Sequence, residues 1–123
     1  MVAVERKGAE ALNRRERPVM VKLSPDFENR RDLSDTIEGA IQGGAKALIV
    51  GNTSTSRLEV EGHPRAKETG GLSGHPRFKH TLNFIKDVRR IAPEIPLIAV
   101  GGIDSGKRAK RALEVGASLV QFY

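Results

Sequence analysis

The chain has 123 residues, no cysteine, 38% hydrophobic residues and a net charge of +6 from 21 basic and 15 acidic side chains. That is enough for one modest domain, here 1–123, and the lack of cysteine excludes disulfides and thiolate-held metals. No stretch of 18 apolar residues occurs, so an apolar membrane-spanning helix is excluded.

In chain order, residues 3–15 read as a weakly amphipathic helix with Ala9 and Leu12 on one side. The N-terminus, Met1 to Lys7, turns polar at once, so no signal peptide is expected, and the absence of cysteine fits an expected cytoplasmic location. Val19 to Leu23 read as an apolar strand interrupted by Lys22, and Ser24-Pro25-Asp26 is turn chemistry. Leu33, Ile37, Ala40 and Ile41 recur at helical spacing over Arg30 to Gln42, and Gly43-Gly44 ends that helix. Ala47 to Val50 form the second strand, followed by Gly51-Asn52-Thr53-Ser54.

A polar loop runs from Ser54 to Pro76 and carries Gly70-Gly71-Leu72-Ser73-Gly74. Its length marks it as functional rather than a bare connection. From Arg77 to Ile91, Phe78, Leu82, Ile85, Val88 and Ile91 form an apolar stripe, stopped by Pro93. Leu97 to Val100 read as a strand buried on both faces, then Gly101-Gly102, then a helix from Lys107 to Val115 capped by Asp104 or Ser105. That helix should turn Ala109, Ala112 and Leu113 inward, and Leu119 to Tyr123 form the last strand.

Strand and helix alternate with no hairpin signal, which predicts a parallel sheet covered by helices. Gly44-Ala45 and Gly116-Ala117 each end a helix just before a strand, a faint internal repeat. An eight-stranded barrel needs roughly 250 residues. The expected fold is therefore α/β, the C-terminal half of a (β/α)8 TIM barrel with four parallel strands alternating with helices, free to complete itself by self-association.

Ligands of such folds bind at the C-terminal ends of the strands. Gly101-Gly102 before a helix start suits a phosphate on backbone N–H groups. Lys22 sits among apolar residues, where a cation meets an anion or else snorkels outward. Asn52 with Thr53 either holds an amide-bearing ring or closes a turn. Ser73-Gly74 either approaches a cofactor or belongs to a flexible loop. His63, His75 and His80 are too widely spaced for a helical metal pair and show no acidic partner, so they read as surface residues and no metal is expected. The basic pairs fall in four separate predicted helices and aromatic residues are few, so nucleic acid is not an expected partner.

Taken together, Val21-Lys22-Leu23-Ser24-Pro25-Asp26, Asn52-Thr53, Glu68-Thr69-Gly70-Gly71-Leu72-Ser73-Gly74, Val100 to Gly106 and Gly116 to Tyr123 resemble the C-terminal half of dihydroorotate dehydrogenase, in its class 2, quinone-reducing branch. The resemblance covers Pro18 to Tyr123 and places the strands as the fifth to eighth of a barrel. It implies FMN-dependent oxidation of dihydroorotate to orotate in pyrimidine biosynthesis, with quinone as acceptor. It also implies Lys22, Ser73, Gly74, Gly101, Gly102 and Tyr123 as FMN contacts, and Asn52 and Thr53 as orotate contacts. The family's serine base lies in its other half, so no catalytic base is expected here. Peripheral association with the inner membrane is expected only of a full-length class 2 protein. Gly51 departs from the family, which has Thr there. The competing reading is a phosphate-binding barrel half of a non-flavin lyase or isomerase, or a plain binding module.

Overall fold

The computed structural model describes residues 17–122; the helix expected over 3–15 and Tyr123 lie outside them. Four strands, β1 (Met20–Leu23), β2 (Ala47–Val50), β3 (Leu97–Val100) and β4 (Leu119–Gln121), lie side by side in chain order. Every pairing is parallel: Lys22 sits opposite Ile49, Ile49 opposite Ile98 and Ile98 opposite Leu119. Three helices, α1 (Arg30–Gln42), α2 (Phe78–Ile91) and α3 (Gly106–Glu114), make the crossovers, as parallel pairing demands.

The helices form because their sequences cap and pattern them. The Asn29 carboxamide oxygen accepts from the N–H groups of Arg31 and Asp32, opening α1. The Ser105 hydroxyl accepts from Arg108 N–H at the start of α3, which decides between the two cap candidates. After α1, Gly44 turns at φ 91° and Ala45 N–H donates to Ala40 O; after α3, Gly116 turns at φ 125° and Ala117 N–H donates to Ala112 O. The faint repeat in the sequence is thus one helix-ending device used twice.

Side chains alternate across a strand, and the two faces of this sheet differ. Leu23, Leu48, Val50, Leu97 and Ala99 pack under Leu33, Ile37, Phe84, Ile85 and Val88 in one buried cluster. Each Leu, Ile, Val or Phe among them contributes roughly 1.5–3 kcal/mol by leaving water. The opposite face carries Met20, Lys22, Ala47, Ile49, Ile98, Val100, Leu119 and Gln121, and of these only Ala47 and Val100 are buried.

Several expectations need correction. β1 starts at Met20 rather than Val19, and β4 stops at Gln121, leaving Phe122 exposed. Ile98 is only half-buried, because no described helix covers its face. Ile41 and Leu113 are exposed, 42% and 45%, because they lie past the edge of their helices' contact stripes. In α2, Phe84 and Thr81 join the buried face beside the predicted stripe. The long loop is structured, with short 3-10 turns at Leu58–Val60 and His75–Arg77 and a bridge between Ser54 and Leu72.

Candidate functional site

At the C-terminal ends of the strands, on the uncovered face, lies a cavity of about 390 Å³. Lys22 reaches it from β1, Asn52 and Thr53 from the turn after β2, Ser73 and Gly74 from the long loop, and Gly101 and Gly102 from the turn after β3. Seven of the eight candidate site residues therefore line one cavity; Tyr123 lies outside the described residues. Lys22 is exposed between half-buried Val21 and buried Leu23, since alternation turns it to the uncovered face.

The turns have backbone reasons for their glycines. Gly51 adopts φ 119°, and a Cβ there would stand 2.0 Å from the Val100 carbonyl oxygen. The departure to glycine at this position goes with a close approach of the β2 turn to β3. At Gly102, with φ 68°, a Cβ would meet Phe78 N at 2.6 Å and Gly74 O at 2.9 Å. The glycine turn is thereby wedged against the end of the long loop. Asn52 spends its side-chain oxygen on Thr53 N–H at 2.9 Å, which presents its Nδ2 as the donor end.

The long loop is held by polar contacts. Asp26, after β1, accepts from Ser54 Oγ at 2.5 Å and from Thr55 N at 2.9 Å. Partial burial pushes its carboxyl up, but those hydrogen bonds and the charge of Arg77 together hold it below the ordinary value. Arg57 donates to the carbonyls of Ser54, Ser56, Glu68 and Gly70. A second cavity, about 460 Å³, opens inside this loop, but its cations Arg57 and Arg65 are occupied by these carbonyls and by Glu68.

Three residues around the cavity escape the sequence reading. His75 and Asp104 line it, and Arg77 lines it while almost fully buried. His75 Nδ1 lies 2.8 Å from Asp104 Oδ2, and His80 Nε2 lies 3.2 Å from Glu59 Oε1. The expectation that these histidines have no acidic partner is thus wrong: the partners are 29 and 21 residues away in sequence, beyond any local pattern. Arg77 pairs with Glu59 under the loop, and Arg77 Nε and Glu59 Oε2 have no hydrogen-bond partner. The hydrogen bond from His75 is the main influence holding the Asp104 carboxyl below its ordinary value, with Arg108 adding to it. No cluster of His, Cys, Asp and Glu suited to a metal occurs among the described residues, and no described helix is long and apolar enough to cross a membrane.

A parallel sheet with helices on one face and a glycine-lined cavity at its strand ends is a segment of a (β/α) barrel at the barrel's ligand end. The comparisons give that segment its family. A family model described as dihydroorotate dehydrogenase matches residues 3–123, and the chain belongs to that family. It is 40% identical over 114 residues to a dihydroorotate dehydrogenase (quinone) of Chelativorans sp. (strain BNC1), spanning 92% of this chain and 31% of the relative. It is 41% identical over 108 residues to the mitochondrial dihydroorotate dehydrogenase (quinone) of Arabidopsis thaliana, spanning 86% of this chain and 23% of the relative. A DHODH crystal structure from Eimeria tenella, in complex with ferulenol, superposes with a TM-score of 0.80 at 32% identity, over 88% of this chain and 29% of that one. The chain spans no more than about a third of the length of these relatives, and its four strands are part of their barrel fold.

Proposed function

We propose that this chain supplies the flavin-phosphate end and part of the substrate site of a quinone-dependent dihydroorotate dehydrogenase, as strands five to eight of its barrel. The observation that carries the reading is the single cavity lined by Lys22, Asn52, Thr53, Ser73, Gly74, Gly101 and Gly102. Its volume lies within the range of cofactor sites.

The residues present fit FMN. Gly102 packs so closely on Gly74 and Phe78 that no side chain intrudes at the turn. This leaves backbone N–H groups and the start of α3 to receive a phosphate. Lys22 would place a cation beside the ring system, Ser73 and Gly74 would flank it, and Tyr123 would complete the contacts. Bound there, the flavin supplies a two-electron acceptor for dihydroorotate oxidation. Asn52 Nδ2 and Thr53 would hold and orient the substrate ring through its carbonyl and amide groups. The base that takes the substrate's proton is assigned to the part of the family fold outside this sequence, and so are quinone docking and peripheral membrane association. On this reading the chain alone is inactive, and it associates with the remaining barrel strands or with a second copy.

Titration of FMN with the purified chain, read by quenching of flavin fluorescence, tests the proposal. Saturable quenching that weakens in Lys22→Ala is expected. Binding of inorganic phosphate without any flavin binding would instead favour a non-flavin phosphate site.

A further inference from the structure

At the rim of the cavity, three side chains join the two segments that the glycine turn brings together. Asp104 follows the Gly101-Gly102 turn, His75 follows Ser73-Gly74, and Arg108 rises from the first turn of α3. His75 Nδ1 meets Asp104 Oδ2 at 2.8 Å, while Arg108 Nη2 meets His75 Nε2 at 2.6 Å. Arg108 Nη1 donates to the Gly102 carbonyl at 2.8 Å, and its guanidinium lies 4.7 Å from the centroid of the Phe78 ring.

This geometry fixes the imidazole proton. A guanidinium can only donate, so Nε2 must be the bare acceptor nitrogen, and Nδ1 must carry the hydrogen given to Asp104. We propose that His75 is a positioning residue for the anion held on the Gly101-Gly102 turn. Its neutral, Nδ1-protonated ring locks Arg108, and through Arg108 the Gly102 carbonyl, into the orientation that aims the turn at the phosphate. The identity of that anion as a flavin phosphate rests on the reading above; the clasp itself does not.

Protonation of His75 places a second hydrogen on Nε2, opposite a cation, and ejects Arg108 from the ring. The groups facing His75 are Asp104 on the turn and Arg108 on α3. Lys22 and Arg77 share the cavity, and Arg77 is already paired with Glu59. The added imidazolium charge would attract an anion, but Asp104 lies against it and the His75 side chain is 71% exposed. The lost acceptor therefore sets the sign, and the anion is held less well.

The whole 123-residue chain is compared with H75F and H75Q, the glutamine keeping an acceptor that does not titrate. Nitrogen-resolved NMR of the free chain should show the His75 proton on Nδ1; a proton on Nε2 overturns the proposal. In fluorescence titrations H75F should weaken FMN by about threefold to fivefold, the scale of one exposed contact, while riboflavin, which lacks the phosphate, binds unchanged. Equal losses for both flavins, or none, overturn it. As the pH is lowered from about 7.5 to 5.5, the unaltered chain should lose more FMN affinity than H75Q. The phosphate's own second ionisation near pH 6 acts on both proteins alike, so parallel profiles count against His75. If neither flavin binds the unaltered chain, the flavin reading fails, and the position of the His75 proton alone decides the clasp.

Discussion

The sheet with its helices and the loop between β2 and α2 are held by different forces. The sheet is secured by Leu48, Val50, Ile85, Val88 and Leu97, all fully buried and apolar. The loop is secured by ions and hydrogen bonds: Asp26 to Ser54 and Thr55, Arg57 to backbone carbonyls, Arg77 to Glu59, His75 to Asp104 and Arg108. Apolar burial is insensitive to pH and to modest salt, whereas ion pairs and charged hydrogen bonds are sensitive to both. The framework can therefore stay folded under conditions that loosen one wall of the site.

The largest effect expected is on the framework. Leu48 is completely buried at the centre of the sheet, and Leu48→Ala should cost roughly 2–5 kcal/mol through lost burial and a cavity. Urea unfolding followed by circular dichroism measures this. Its neighbour Ile49 faces the uncovered side and is only half-buried, so Ile49→Ala should cost clearly less. Equal losses at 48 and 49 would mean that the two faces are equally covered.

The next effect lies under the loop. Glu59 and Arg77 have side chains 10% and 6% exposed, and each keeps one unpartnered polar atom. Removing one partner strands the other, which costs on the order of 3 kcal/mol when the pair is buried. Glu59→Ala should therefore raise amide exchange through the loop around 57–77 while leaving β2 and β3 protected. The double replacement Glu59→Leu with Arg77→Met should recover much of the loss, because an apolar pair leaves no stranded charge. A double variant as loose as the single would place the loop's stability elsewhere.

This division also governs how much could be read from the residues. β2 and β3 were delimited correctly because short apolar runs bounded by glycines are local signals, and α1 because its stripe and its glycine end lie in one window. That seven of the candidate residues meet at one cavity was legible by position, since strand C-terminal ends are adjacent in any parallel sheet. Ile41 and Leu113 misled because periodicity marks a stripe but not where its neighbours stop. The burial of Arg77 and the partners of His75 and His80 were illegible, since each depends on a segment 18 to 29 residues distant. Composition makes such residues look like solvated surface. Only the Asp104–Arg108 spacing of four on one helix start offered a local hint.

The smallest effect expected is the loop's response to acid. The Asp26 carboxyl is held below its ordinary value because hydrogen bonds from Ser54 and Thr55, aided by Arg77, outweigh the effect of burial. A depressed carboxylate gives stability that is fully present above its unfolded value, near 3.9, and is lost as pH falls through the lower folded value. Ser54 is 1% exposed, so protonation of Asp26 takes the charged acceptor from a hydroxyl that cannot reach water. Asp26 itself is exposed, which limits the contribution to about 1 kcal/mol. Amide exchange at Thr55, whose N–H donates to Asp26, should therefore quicken, relative to the intrinsic rate, only below about pH 4. In Asp26→Asn the faster exchange should be present already at neutral pH and change little with acid. A Thr55 amide that stays equally protected in the variant would show that the Ser54–Leu72 bridge, not the carboxylate, fastens this end of the loop.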